Sequence, residues 1–284
     1  MIHRGSAHYR LSLAGGGTDL GEGEGLCITL SLPWRCHVVR RDVWCPHSGG
    51  ERSITHDPDA FAERTQVPGT WFTDQHPILR HLTDVKPHHH FIVTHELPTR
   101  VGLGSSAALA YAATGELDTS LEIDRKATGA GWQDANACFM AACDGRWTPS
   151  AWAIEPDDAE ALMPLDKVGE NLLLFSTGGT HTEARNASEL DPKVRELALE
   201  EARALRDSPN LEVLAWCMDR QWMRKCKAAP LAVCNAIAAA SAAPGFIAAK
   251  STGSRGAGFG VVLTKDRDRT RDALVECGAR VWMP

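Results

Sequence analysis

The run Gly102-Leu103-Gly104-Ser105-Ser106-Ala107-Ala108 constrains this chain more than any other stretch of it. Gly102 and Gly104 admit backbone conformations and close approaches that a Cβ would forbid. Ser105 and Ser106 then open a helix that runs through Ala113, and the unpaired N–H groups and positive dipole end of such a helix suit a phosphate. A hydroxyl at the helix start can also reach a Mg²⁺. The plainer reading is a glycine turn with a serine N-cap. A Walker A loop is excluded, because its Gly-Lys-Ser/Thr is missing: Lys250-Ser251 follows Ala249.

Two more glycine-rich segments flank this one. Gly15-Gly16-Gly17-Thr18-Asp19 directly follows a strand-like run, Tyr9 to Ala14, and Lys250 to Gly260 precedes another, Val261 to Leu263. Short strand-like runs fill the rest of the first half (Cys27 to Ser31, Cys36 to Val39, Phe91 to Thr94), divided by Gly- and Pro-containing turns. A second helical stretch, from about Ser120 to Thr128, leads into Gly129-Ala130-Gly131. After the strand Leu172 to Phe175 the chain turns helical: Pro192 to Arg206, Leu211 to Cys226, Leu231 to Ala243 and Arg269 to Gly278. The changeover puts a domain boundary near residue 165. A length of 284 residues agrees with two domains at roughly 150 each.

Composition narrows the function classes. The formal net charge is −6, with no basic cluster of the kind that marks a nucleic-acid or anionic-membrane surface. Nine Cys without a C-x-x-C pair lack the spacing of a metal ribbon or a thioredoxin-like site. The N-terminus has no apolar signal core, and no stretch approaches the 18 apolar residues of a membrane span. The expectation is a soluble cytoplasmic protein with reduced thiols.

Taken together and in order, these segments resemble the GHMP kinase superfamily, which includes galactokinase, homoserine kinase and mevalonate kinase. Gly102 to Ala108, following Pro98, is similar to that family's phosphate-binding motif. Ala7-His8-Tyr9-Arg10 through Thr18-Asp19 looks like its N-terminal motif, with the triple Gly of the heptose 7-phosphate kinase branch. Gly131-Trp132-Gln133-Asp134 resembles that branch's Gly-x-Gln-Asp segment, Gln221 to Lys225 its Trp-x-x-Lys helix, and Lys250 to Phe259 its third motif.

The resemblance implies an α+β fold. A ribosomal-S5-like ATP-binding domain would span residues 1–165 and a ferredoxin-like domain 166–284, with ATP between them. It implies that Gly102, Leu103, Gly104, Ser105, Ser106, Ala107 and Gly256 hold the nucleotide, and that Ser106 binds Mg²⁺. Asp134 would take the proton of the acceptor hydroxyl, and Arg10 would stabilise the transferring phosphoryl group. Gly16, Gly17, Thr18, Asp19 and His181 would meet a small sugar or sugar phosphate, with heptose 7-phosphate, phosphorylated at its anomeric hydroxyl, as the specific expectation. The protein would be a monomer or homodimer, without nucleic-acid or membrane partners. Phosphoryl transfer draws most of its acceleration from positioning and charge neutralisation, which these residue types supply.

Alternatives stand beside each role. Asp134 also reads as a helix N-cap, Asp19 as a turn residue and Arg10 as a surface charge on a strand. His88-His89-His90 cannot all face one metal ion from a strand. Arg255 stands where the family has Gly, His181 where heptose kinases have Arg, and His8 where Pro is usual. The segment that carries the family's Mg²⁺-binding Glu is short. Counting back from Asp134 points to Glu122, while the local Ile-acid-Arg pattern points to Asp124. Arg255 and this shortened segment motivate a second function, a non-catalytic sensor on the same fold. A third, a dinucleotide-binding oxidoreductase, follows from Gly102-x-Gly104-x-x-Ala107.

Overall fold

The computed structural model describes residues 2–20, 24–42, 70–71, 78, 81–82, 89–98, 102–144, 150–178, 191–253 and 259–284. Six strands make the first sheet: β1 (Ile2–Ala14), β2 (Cys27–Asp42), β3 (Thr70–Trp71), β4 (His89–His95), β5 (Ala151–Ile154) and β6 (Ala159–Ala161). β2 is its spine. It pairs with β1 along one edge, while its other edge is shared by β4, opposite Cys36 to Asp42, and β5, opposite Cys27 to Leu30.

The sequence predicts two strands where β2 is one, because Pro33 reads as a break. The structure overturns this. Between Arg10, opposite Ser31, and His8, opposite Arg35, the register shifts, so Tyr9 faces the three residues Leu32 to Trp34. A bulge of this kind is an interior position that accommodates a proline without an N–H to donate.

Helices α1 (Ser105–Thr114) and α3 (Gln133–Asp144) cover this sheet, and α2 (Leu117–Thr128) packs on those two helices. α1 carries Ala107, Ala108, Ala110, Ala112 and Ala113, all buried, so its backbone comes close to β1: a Cβ at Gly5 would lie 1.9 Å from the Ala112 carbonyl. α2 starts at Leu117, three residues ahead of the predicted Ser120.

After a 3₁₀ segment, Met163–Asn171, the second sheet follows: β7 (Leu172–Ser176), β8 (Phe246–Ser251), β9 (Phe259–Thr264) and β10 (Arg280–Trp282), in the order β10-β7-β9-β8. Its helices are α4 (Pro192–Asp207), α5 (Leu211–Lys225), α6 (Leu231–Ala242) and α7 (Arg267–Glu276). Asp191 caps α4 through the Lys193 N–H at 2.8 Å, and Asn210 caps α5 through Glu212 and Val213.

The period of two in β7 explains its unbroken Leu-Leu-Leu-Phe run. Leu172 and Leu174 join the main core, which continues through Tyr9, Leu11 and Leu13 of β1, whereas Leu173 and Phe175 join a second core with α6 and α7. One apolar core thus spans both sheets, and it holds the end of β1 against α4 and α5. Every strand pair among the described residues is antiparallel. That removes the oxidoreductase reading, whose fold requires a parallel doubly wound sheet. No helix among the described residues is long and apolar enough to cross a membrane.

Candidate active site

Arg10 lies on β1, and its guanidinium pairs with Asp134 in the first turn of α3; the two side chains are only 10% and 14% exposed. The surface-charge reading of Arg10 and the N-cap reading of Asp134 both fall away. A carboxylate here also benefits from the positive end of α3. Screening by water is weak at this burial, so the attraction is much stronger than for a surface pair. The Arg10 Nε remains a buried donor without a hydrogen-bond partner.

The loop before α1 runs directly against this pair. The Arg10 N–H donates to the Leu103 carbonyl at 3.2 Å, and the Leu103 side chain is fully buried. At Gly104 (φ +67°) the backbone conformation favours glycine, and a Cβ would sit 3.0 Å from Arg10 Cγ and 3.4 Å from Asp134 Oδ2, close enough to press on the pair. Gly102 packs more tightly, on the third glycine segment, where a Cβ would lie 2.4 Å from the Gly253 nitrogen. The helix opens with the Ala108 N–H bonded to the Gly104 carbonyl at 3.0 Å, and the N–H groups of the turn before it are those a helix N-terminus leaves without intrahelical acceptors. Ser105 and Ser106 are half-buried there, and Ala107 is buried.

Asp19 reaches the same place from the turn after β1. Its Oδ2 accepts the Gln133 N–H at 3.2 Å, which caps α3 from a distant segment, while its Oδ1 has no partner. A Cβ at Gly131 would fall 2.0 Å from that Oδ2, so glycine is needed for the approach. Burial and the neighbouring Asp134 push the Asp19 carboxyl up to about 6. Thr18 departs from its expected role. It is 1% exposed, and its hydroxyl is taken up by the Gly15 and Leu26 carbonyls at 2.8 and 3.0 Å, so it pins the turn instead of facing a substrate. Gly16 is at the exposed tip of that turn and Gly17 is half-buried beside it.

The choice between Glu122 and Asp124 is decided by the faces of α2. Glu122 points outward and pairs with Lys126 at 2.5 Å, both more than half exposed, so the expectation that it completes a Mg²⁺ site is corrected. Asp124 is 1% exposed and hydrogen-bonds the Ser106 and Thr128 hydroxyls, the latter at 3.0 Å. Burial and Asp134 push it up to about 6, and its Oδ2 has no partner. The residues at i, i+3 and i+6, Leu117, Ser120 and Ile123, carry the sequence signal for this face.

Three residues without an assigned role join the constellation from the second half. Lys250 donates to the Ser12 and Leu13 carbonyls and to Gln221 Oε1 at 2.6, 3.0 and 2.7 Å, and Gln221 donates back to the Leu13 carbonyl at 2.8 Å. Lys225, at the end of α5, donates to the Gly253 carbonyl at 2.7 Å. His181, Arg255 and Gly256 lie outside the described residues, as does His88, while His89 and His90 open β4. Trp132 packs over Gly25 and against Trp152 and Ile154.

Ser106 and Asp124 are hard oxygen donors of the kind Mg²⁺ takes alongside phosphate oxygens and water, and the Asp124 carboxyl, raised by burial and with its Oδ2 unpartnered, is one that a divalent cation would stabilise. The loop at 102–106 fits a phosphate chain in the same way, through its helix N-terminus and the unused Arg10 Nε. The residues present therefore fit both groups.

No protein-family model and no curated protein matches the sequence. Solved structures do match it. A mevalonate kinase from methicillin-resistant Staphylococcus aureus shares 17% identity over 99% of this chain and 98% of its own, with a TM-score of 0.63. A D-glycero-D-manno-heptose 1-phosphate kinase from Bacteroides thetaiotaomicron shares 15% over 100% and 95%, also at 0.63. Lactococcus lactis galactokinase, complexed with galactose, shares 12% over 99% and 92%, at 0.67. The likeness shows a fold common to these kinases along the whole chain.

Proposed function

We propose that this protein is an ATP- and Mg²⁺-dependent kinase that phosphorylates a hydroxyl of a sugar or sugar phosphate, with the anomeric hydroxyl of a heptose 7-phosphate as its first candidate acceptor. The observation that carries this reading is the buried Arg10–Asp134 pair set against the Gly102–Ser106 loop. The fold shared with sugar and mevalonate kinases supports it.

The chain's own residues divide the work. The 102–106 backbone and the positive end of α1 hold the phosphate chain. Asp134 accepts a hydrogen bond from the acceptor hydroxyl and takes its proton as the oxygen attacks the γ-phosphorus and the bond from that phosphorus to the departing ADP oxygen breaks. Arg10 holds the Asp134 carboxylate in place through their ion pair and offers its free Nε to the oxygens of the phosphoryl group in flight. Asp19 fixes the start of α3, and therefore the base, while its free Oδ1 is available to an acceptor hydroxyl. Mg²⁺, when bound at Ser106 and Asp124, would neutralise phosphate charge.

ADP release screened over heptose 7-phosphate, free heptoses, fucose, galactose, mevalonate and homoserine tests the proposal. Acceptor-dependent ADP with one of these is the expected result. Nucleotide binding without turnover on any acceptor would favour the sensor.

A further inference from the structure

Lys225 and Lys250 both come from the second half of the chain and both lie beside the segment that packs on Gly102. Their chemistry differs. An ammonium has three donors. Lys250, 2% exposed, places all three on protein oxygens at Ser12, Leu13 and Gln221, so its role is to tie β8 to the end of β1. Lys225 places one, on the Gly253 carbonyl, and among the described residues it has no other hydrogen bond.

Neither lysine has a carboxylate within ion-pair distance among the described residues. The acid whose charge reaches both lysines, Glu201, is fully buried and already held by both terminal nitrogens of Arg224, at 2.5 and 2.8 Å. Burial and Arg224 pull the Lys225 ammonium down to about 8, and Arg10 adds to the repulsion. A cation in this position, with donors unspent and no counter-ion, is complementary to an anion. The anion has an address as well. Gly253 stacks on Gly102, the first residue of the loop that opens α1.

We propose that Lys225 is a nucleotide-binding residue whose two remaining donors engage the phosphate chain held by the 102–106 loop, so that the second half of the protein supplies the cation that the glycine loop lacks. This rests on the reading of that loop as a phosphate site. It assigns to a helix C-terminus the job that a lysine inside the loop performs in a Walker A motif.

The test is binding of MgADP and of adenosine to the full chain by titration calorimetry, for the wild type, Lys225→Met and Lys225→Gln. Each variant is expected to lose about 10- to 100-fold in MgADP affinity, the effect of one or two charge-assisted hydrogen bonds, and to bind adenosine as the wild type does. Gln keeps a donor for the Gly253 carbonyl, which guards against a variant that fails only because the loop is released. Wild-type MgADP affinity in a folded Lys225→Gln protein would overturn the proposal and leave the phosphate-site reading intact. A wild-type protein that binds adenosine but gains nothing from the phosphates would overturn both.

Discussion

Replacing Arg10 with Met keeps most of the side-chain volume and removes the charge that Asp134 faces. Asp134 is 14% exposed and sits near two further carboxyls, Asp19 and Asp124, whose own protons are already held up to about 6. Breaking a buried pair from one side costs about 3–5 kcal/mol, because the remaining charge is left without solvent or partner. The slight exposure of both side chains places Arg10→Met at the low end, about 3 kcal/mol. Equilibrium urea unfolding at neutral pH measures it as a fall in the midpoint at constant slope. The double variant Arg10→Met/Asp134→Leu removes both charges and should recover most of the loss. Acidification should also shrink the deficit of the single variant, because the unpaired carboxyls then take up protons. A single variant within about 0.5 kcal/mol of wild type, the range of an ordinary surface substitution, would refute the buried pair.

Burial and Asp134 raise the Asp19 and Asp124 carboxyls from the ordinary carboxylate range to about 6, so their protonated forms contribute stability that is complete below the ordinary range and lost as pH rises through about 6; Asp124→Asn should flatten this fall in urea unfolding. The ionised form of Asp124 is the one that serves Mg²⁺, so MgADP affinity should climb between about pH 5 and about pH 7 in the wild type and in Glu122→Ala, but not in Asp124→Asn. Gly131→Ala puts a methyl 2.0 Å from Asp19 Oδ2 and must evict the cap from the Gln133 N–H; about 1 kcal/mol of stability should go with it, read by thermal unfolding.

The site was legible in the sequence wherever a residue type has few other uses. Gly104 has a positive φ and a tight space against the Arg10 side chain, and a buried Arg10 beside an acid at a helix start has a specific partner. Legibility failed where tertiary packing decides. Pro33 reads as a strand break until β1 is present to form the bulge. Thr18 looks like a substrate contact until the Leu26 carbonyl arrives to take its hydroxyl. Glu122 and Asp124 differ only in the face of α2 they occupy, which the apolar spacing of Leu117 and Ile123 does mark. Lys225 and Lys250 lie in segments that resemble family motifs, but their partners are set by tertiary packing: the Gly253 carbonyl for Lys225, and the Ser12 and Leu13 carbonyls at the end of β1 for Lys250.

The central claim is that Asp134 is the base of a phosphoryl transfer whose nucleotide sits on the neighbouring loop. Asp134→Asn keeps the shape and removes the proton acceptor. Acceptor-dependent ADP release and MgADP affinity, measured side by side on the wild type and this variant, separate chemistry from binding. The account predicts kcat lower by about 10²–10⁴-fold with nucleotide affinity retained. Turnover at the wild-type rate in Asp134→Asn would contradict it.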